Sequence, residues 1–307
     1  MKTIRYIPIF ALTALLVTSC DMFSGNKAPS FSKEGDEVSY SDFKTRVQEA
    51  YEESEIFDTN ARLGDRLEKI SSSRSYVKTW KREKQEIEKT NSQLAMKGEA
   101  QYDADNLIAK LVSEMSYKDS SNTQEGKGSS TSESKTENYY QFSYIGGSKC
   151  LVNANAKTKR YSSYYPVYRG ATEESVFDEV SRADMTQVYE QFVSTIPYSQ
   201  SDAKEYLFYI NGDSLFTFIQ NTDRETSDSN VTSKTKIKLK VQLDLSDKKQ
   251  AFRFSHEQQV EETYKKNYNG HIEGDVTVET TKNYNEYTFT AKNITVKEVN
   301  LDEYVLE

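Results

Sequence analysis

A strict alternation of apolar and polar residues constrains the fold of this chain more than any other sequence feature. A period of two is typical of a β-strand with one buried face. Antiparallel sheets tolerate one solvated face, whereas parallel sheets are covered on both faces. Shorter runs of this kind follow near 252–254, 276–278 and 287–291, so the C-terminal part is predicted to be an antiparallel sheet. The clearest run sets Ile237, Leu239, Val241, Leu243 and Leu245 against Lys236, Lys238, Lys240, Gln242 and Asp244.

Two β-hairpins are predicted from turn residues that separate apolar segments. Residues 140–145 meet 150–152 across Gly146-Gly147, and residues 206–210 meet 215–219 across Asn211-Gly212. Both dipeptides supply the positive φ angles that two-residue turns require. Both faces of the second hairpin are apolar, so both must be covered. One face is predicted to carry Tyr206, Phe208, Ile210 and Leu215, and the other Leu207, Tyr209, Phe216 and Phe218.

Two regions have helical periodicity. Ser39 followed by Asp42 is a capping signal, and apolar residues then recur at helical spacing, which predicts a helix over about 40–57. The segment 173–196 carries two apolar stripes with a second capping signal between them at Asp184. Paired helices are therefore expected there, and Pro197 ends them.

The remaining segments are less regular. Residues 65–118 fit both a helix and a strand, because the apolar residues from 107 to 117 match either period; we favour long strands there. Residues 119–138 contain no aliphatic or aromatic side chain before Tyr139, and residues 222–235 contain only Val231. Such compositions predict two disordered polar loops between strands.

The N-terminus has the features of an export signal. Lys2 and Arg5 precede an apolar run from Tyr6 to Val17. The run is too short to cross a hydrocarbon core, which needs about 20 apolar residues in a helix. It is therefore predicted to direct the chain to the membrane and then to be removed.

The signal ends Val17-Thr18-Ser19-Cys20, which resembles the lipobox of bacterial lipoproteins. That resemblance implies lipidation of the Cys20 thiol and cleavage in front of it. Two acyl chains hold a protein firmly on a bilayer, whereas one binds reversibly. The implied organisation is a signal peptide at 1–19, a lipidated cysteine and tether at 20–36, and a single domain at 37–307 on the extracytoplasmic face of a cell membrane.

The composition excludes several functions. The chain has 40 Lys and Arg against 48 Asp and Glu, and its net charge of -8 argues against nucleic acid, which needs a basic face. The only histidines, His256 and His271, lack a cysteine pair, so no zinc site is expected. Asp103 and Asp105 begin like a calcium loop but lack its later glycine and glutamate, which favours a strand-end turn.

No motif of nucleophilic or phosphate chemistry is present, since the chain has neither a G-x-S-x-G elbow nor the Walker glycines. A chance pair of carboxylates is the only remaining route to catalysis, so the chain is predicted not to be an enzyme and to need no cofactor or metal. Cys150 has no His or Cys nearby in sequence and is interpreted as a buried hydrophobic residue, not a reactive thiol.

The order of elements over roughly residues 40–305 resembles the half-barrel of bacterial lipoprotein carriers. That resemblance implies an α+β fold in which a curved antiparallel sheet packs on a few helices, one of them N-terminal, and encloses an apolar cavity. The implied function is to bind an apolar or amphipathic ligand. The predicted lining residues are Phe142, Phe208, Leu215 and Leu239. The alternative is a surface interaction or structural lipoprotein whose sheet is filled by its own helices; its protein partner is not predictable.

Overall fold

The computed structural model describes residues 34–57, 64–167, 171–227, 231–247, 251–266 and 275–307. Within them, thirteen strands form one sheet, accompanied by two α-helices, α1 (Tyr40–Glu52) and α2 (Glu173–Thr195), and by three short 3-10 helices. The 3-10 helices are Glu55–Phe57, Asp202–Glu205 and Leu301–Glu303. The strands are β1 (Asp36–Val38), β2 (Arg66–Arg82), β3 (Gln85–Asp103), β4 (Ile108–Thr123), β5 (Gly126–Ile145), β6 (Ser148–Asn155), β7 (Arg160–Pro166), β8 (Tyr206–Asn211), β9 (Leu215–Ser227), β10 (Val231–Asp247), β11 (Ala251–Lys266), β12 (Val276–Ala291) and β13 (Val305–Leu306).

The sheet is mixed, with a single parallel pair at one edge. Its strand order is β1-β8-β9-β10-β11-β12-β2-β3-β4-β5-β6-β7-β13. β12 pairs with β2 along their whole lengths, and this contact joins the C-terminal strands to the N-terminal ones. β13 runs parallel to β7, whereas the other neighbouring strands are antiparallel.

The predicted α+β class is wrong, because strands make up most of the described residues. β3 has 19 residues and β5 has 20, more than three times the usual strand length of about 5–6 residues. Helical structure in the described ranges is limited to α1, α2 and the three 3-10 segments. One large mixed sheet therefore replaces the predicted half-barrel packed on a few helices. The prediction failed because it assigned polar segments to loops.

The segments 119–138 and 222–235 are the main source of that error. β4 continues to Thr123 and β5 begins at Gly126, so the predicted first loop is a hairpin in continuous register. β9 and β10 likewise extend through most of the second segment, apart from residues 228–230, which lie outside the described residues. A strand needs apolar side chains only where a face is buried, since neighbouring strands satisfy the backbone groups in any case.

The preference for strands over 65–118 is confirmed, as this segment forms β2, β3 and most of β4. Tight turns separate the three strands. Glu83 and Lys84 have φ angles of 48° and 70°, and Leu107 has a φ of 56°. The helical periodicity of residues 107–115 has no structural counterpart, because residues 108–115 belong to β4.

Both helical regions are confirmed, with altered boundaries. α1 begins after Ser39, whose hydroxyl accepts a hydrogen bond from the backbone N–H of Asp42, and it ends at Glu52. The 3-10 segment Glu55–Phe57 occupies the rest of the predicted helix. α2 is one continuous helix where paired helices were expected, and Thr172 caps it through the backbone N–H of Ser175.

The two predicted hairpins are confirmed. β5 and β6 meet at Gly146-Gly147, whose φ angles of 58° and 84° match the expected two-residue turn. β8 and β9 are joined through three residues, 212–214, because Asn211 pairs with Leu215.

This longer loop changes which side chains share a face. Phe208 pairs with Phe218 and Ile210 with Phe216, so these four lie on the same face of the sheet. Leu215 lies on the other face. The face assignment that assumed a two-residue turn is therefore wrong, as a shift of one residue moves side chains to the opposite face.

The hydrophobic core lies on one face of the sheet, which we call the core face, and only towards one end of the long strands. α1 and α2 cover it there. The ring of Phe43 in α1 lies 5.0 Å from that of Phe208 and 6.0 Å from those of Phe216 and Phe218. The ring of Phe192 in α2 lies 6.3 Å from that of Phe218.

The long strands extend well beyond this core, and we divide the sheet accordingly. The polar half is the set of strand ends on which no described side chain is buried: residues 73–82, 85–96, 113–123, 126–137, 221–227, 231–238, 257–266 and 276–284. The core half is the remainder of the sheet.

The chain enters the described structure at the core half. Gln242 and Lys240 donate hydrogen bonds to the carboxylate of Glu34, and β1 follows directly. The predicted tether of 20–36 is therefore too long at its C-terminal end, because residues 34–36 are part of the fold. The predicted signal peptide and Cys20 lie outside the described residues.

The C-terminal segment 292–304 covers the opposite face of the core half. The backbone N–H groups of Ile294 and Val296 donate to the carboxylates of Asp65 and Asp103, over 3.2 Å and 2.9 Å. Further along, Val299 donates to the Gln141 side chain over 2.8 Å. The helices therefore cover the core face, and the C-terminal segment covers the other face around Asp65, Asp103 and Gln141. None of the described helices has the length and apolar character needed to cross a membrane.

Candidate interaction surface

The structure does not bring the four predicted ligand-binding residues together around one space. Phe208 and Leu239 are 3% and 7% exposed and belong to the core beneath the helices. Phe142 packs against the same core and is only partly buried. Leu215 lies on the opposite face of the sheet from Phe208. Cys20, the predicted lipidation site, lies outside the described residues.

A small cavity adjoins Phe208 at the β1 edge of the sheet. Its volume is about 230 Å³, and Val38, Tyr40, Tyr206 and Leu207 contribute to its lining. Pockets for small-molecule ligands usually measure about 300–1,000 Å³. This cavity is therefore smaller than a usual small-molecule pocket.

A buried ion pair lies inside the core, and the sequence analysis missed it. Arg66 and Glu68 are 1% and 0% exposed, and the Arg66 Nε lies 2.7 Å from a Glu68 carboxylate oxygen. The guanidinium group stacks on the Tyr102 ring at 3.7 Å. The sequence contains a signal for this pair. Arg66, Glu68 and Ile70 lie two residues apart along one strand, so they share the face that buries Ile70.

The surroundings of this pair keep Arg66 charged. Burial acts to lower the pKa of Arg66, but the charge and hydrogen bond of Glu68, together with Tyr102 and Tyr287, outweigh it, so the pKa is raised. Burial, reinforced by the negative charge of Glu68, raises the pKa of Tyr287 well above its ordinary value. The pair is enclosed by protein and does not form an accessible site.

The polar half is accessible and extends beyond the core. Its strand ends have 7 to 12 residues, which at ~3.3 Å per residue corresponds to about 23–40 Å. Charged side chains pair across neighbouring strands on its surface. Lys135 lies 2.6 Å from Glu114, and Lys234 lies 2.7 Å from Glu225. These pairs are exposed and contribute little to stability individually, but they balance charge along the surface.

A shallow groove lies on the opposite face of the polar half. Its volume is about 620 Å³, and β3, β4, β5 and the β6–β7 turn form its walls. Hydrogen bonding to Lys135 lowers the pKa of Glu114, which keeps this carboxylate charged. Both signs of charge are present in the lining, which includes Lys97, Glu114, Glu133, Lys135 and Lys157.

The core face of the polar half carries aromatic residues among carboxylates. Burial, assisted by a hydrogen bond to Glu279, raises the pKa of Tyr76 to about 12. A hydrogen bond to Glu262 is the main cause that raises the pKa of Tyr264 to about 12. Trp80 shares this face with them. Tyr and Trp are enriched at protein interfaces, where they combine apolar area with a polar tip.

No cluster of three or more His, Cys, Asp or Glu side chains able to hold a metal ion occurs in the described residues. Burial lowers the pKa of His256 to about 4, so its imidazole is neutral at physiological pH. His271 lies outside the described residues.

The structure also shows the surroundings of Cys150 and Asp103, two residues discussed in the sequence analysis. Cys150 is buried, and its Sγ lies 3.6 Å from the carbonyl oxygen of Ser148. Asp103 accepts hydrogen bonds from the backbone and side chain of Asn106, which closes a strand-end turn. The turn interpretation of this segment is therefore confirmed.

Comparisons with known proteins give no family. No protein-family profile matches the chain, and no curated protein matches it. Among solved structures, the outer membrane protease OmpT from Escherichia coli is 8% identical, with a TM-score of 0.20 over 76% of this chain and 100% of that one. The translocator domain of the autotransporter NalP from Neisseria meningitidis is 8% identical, with a TM-score of 0.19 over 82% of this chain and 96% of that one. Because these scores are low, neither similarity bears on fold or function here.

Proposed function

We propose that this protein is a lipid-anchored, non-enzymatic interaction protein of the extracytoplasmic membrane surface. The lipid on Cys20 holds it to the bilayer, and the polar half of the sheet contacts a protein partner. The carrying observation is the division of the sheet: α1 and α2 cover the core face of the core half and the C-terminal segment covers part of its other face, whereas the polar half is accessible along eight strands.

The position of the anchor favours this use of the polar half. The described chain begins at Glu34, next to β1 and Lys240 in the core half. The hairpin turns at 83–84 and 124–125 lie at the other end of the long strands. A chain tethered through residues before Glu34 has its core half nearest the attachment point, so the polar half is free to meet other molecules.

The chemistry of the surface favours a protein over other partners. The groove carries both lysine and glutamate side chains, which suits a polar surface of mixed charge. A nucleic acid would meet a chain of net charge -8, which repels phosphate. An apolar ligand would need more space than the cavity of about 230 Å³ beside Phe208.

The interaction is tested by photo-cross-linking on intact cells that express the full chain. Benzoylphenylalanine replaces Lys118 or Lys236, which are exposed in the polar half. The matched controls replace Tyr144 or Tyr198, which are aromatic, 72% and 96% exposed, and outside the polar half. We expect adducts with other proteins from the first pair only. Equal adducts from Tyr144 and Tyr198, or no adducts from either polar-half position, would contradict the proposal.

The same cells test the anchor. Replacing Cys20 by serine should leave the precursor uncut and unlabelled by radioactive palmitate, because the acylated thiol is missing. Replacing Cys150 by serine is the control, and it should change neither processing nor labelling. Normal processing of the Cys20→Ser chain would show that the membrane attachment has another origin.

A further inference from the structure

One edge of the polar half is open. β5 pairs with β4 from Gly126 onwards, but its other neighbour, β6, begins to pair only at Asn138. No described strand pairs with residues 126–136 on that side. All of these side chains are exposed, so no other described element covers the edge. An unpaired strand edge presents a row of backbone donors and acceptors to any strand that can align with it.

The charges along this edge are self-complementary. On the face opposite the core face, β5 carries Lys127, Glu133 and Lys135, with two uncharged residues between Lys127 and Glu133, and Glu125 lies in the turn just before Gly126. A second copy of β5, aligned antiparallel about a two-fold axis at Ser130, sets each residue against the one equally far on the other side of Ser130. Lys127 then faces the partner's Glu133, and Glu125 faces the partner's Lys135. Opposite charges directly across an antiparallel pair are stabilising.

The second open edge of the polar half lacks this property. β9 pairs with β10 along its length, but β8 covers it only up to Gln220. Residues 221–227 therefore lack a described neighbour on that side. A two-fold pairing about Arg224 would set Asp223 against the partner's Glu225, so like charges would face each other. Like charges in opposing positions are destabilising.

We propose that two copies of this protein associate through the β5 edges, antiparallel about Ser130, to form a sheet that continues across both molecules. The interface is isologous, as expected of a closed two-fold dimer. Because the two β5 strands run in opposite directions, the two core halves lie at opposite ends of the pair. This inference goes beyond the proposed function, since a different protein partner does not depend on it.

The test uses charge reversal in the mature chain with Cys20→Ser, followed by sedimentation equilibrium. One variant carries Lys127→Glu and Lys135→Glu, which makes all four edge charges negative. The other carries Glu125→Lys and Glu133→Lys, which makes all four positive. We expect each variant alone to lose about tenfold or more in its dimerisation constant, and an equimolar mixture to recover dimers.

A cysteine placed at the two-fold axis tests the register in which the two β5 strands pair. Opposite residues of an antiparallel pair have Cα atoms about 4.5–5.5 Å apart, within the disulfide range of about 4.4–6.8 Å. We therefore expect Ser130→Cys to form disulfide-linked dimers under mild oxidation, and Ser134→Cys to form none, because it would face the partner's Gly126. Buried Cys150 is present in both chains and serves as a constant background.

Three results would overturn the dimer. The chain with the unsubstituted β5 edge could stay monomeric at all concentrations. Both charge-reversed variants could instead dimerise as strongly as the unsubstituted chain. Alternatively, Asp223→Lys with Glu225→Lys could abolish association, which would move the contact to β9. Far-UV circular dichroism checks that each variant is folded, which is expected because all six charged residues are exposed.

Discussion

Replacing Phe208 by alanine is expected to lower the free energy of unfolding by about 3–5 kcal/mol, as truncation of a buried Phe does. Its side chain is 3% exposed. Its ring lies 5.0 Å from that of Phe43 in α1, 6.0 Å from that of Phe218 and 5.5 Å from that of Tyr40. The variant therefore leaves a cavity between α1 and the sheet, and urea denaturation followed by circular dichroism measures the loss of stability.

Leu207 is the matched control for this substitution. Leu207 directly precedes Phe208 in β8, lies on the face of the sheet opposite the core face and is 44% exposed. Leu207→Ala should cost less than about 1 kcal/mol, since exposed substitutions have small effects. Equal losses from the two variants would mean that β8 is not held against α1 by its core face.

Replacing Arg66 by methionine should cost about 3–5 kcal/mol, because it leaves the buried carboxylate of Glu68 without its cationic partner. Glu68 is 0% exposed, so water cannot replace the guanidinium group. Arg66→Met with Glu68→Leu should recover most of the loss, as apolar replacement of a whole buried ion pair is often close to neutral. Chemical denaturation of the three chains gives the comparison.

The exposed pair Lys135 and Glu114 is the control, because the two partners are 59% and 52% exposed. Lys135→Met should cause no measurable loss of stability, since water solvates the remaining carboxylate. The chain with both Arg66 and Glu68 replaced could be as unstable as the Arg66→Met chain. The loss of stability would then arise from the shape of the side chains or from the stacking on Tyr102, and not from an unpaired charge.

Local patterns predicted the elements that bury one face. The alternation at 236–245, the glycine turn at 146–147 and the cap at Ser39 each correspond to an observed element. In each case a short-range rule, either side-chain period or turn chemistry, agrees with the tertiary structure. Agreement between local preference and global fold is common in natural sequences.

The polar strands escaped prediction because their stabilisation is not local. Residues 126–136 have no buried side chain, so no hydrophobic period identifies them; they are strands because β4 pairs with them. The pairing of β12 with β2 joins segments about 200 residues apart in the chain, and no short-range signal encodes such contacts. The prediction of disordered loops at 119–138 and 222–235 failed for this reason.

The candidate site was predicted only in part. Phe208 and Leu239 were identified correctly as apolar residues of one sheet, but whether they face a ligand or a helix depends on where α1 and α2 pack. The one-residue change of register at 212–214 also moved Leu215 to the other face. The interaction surface itself has no motif, since it consists of charges and aromatic residues that are brought together by strand pairing.

We propose that the protein's own helices fill the core half, which leaves the polar half as the surface that contacts other molecules. Native mass spectrometry tests this on the chain from residue 20 onwards, expressed without residues 1–19 and with Cys20→Ser, and purified without harsh detergent. We expect monomers or dimers whose mass equals that of the polypeptide alone. Retention of a fatty acid or phospholipid by the folded chain, in a fixed ratio and lost on unfolding, would contradict it.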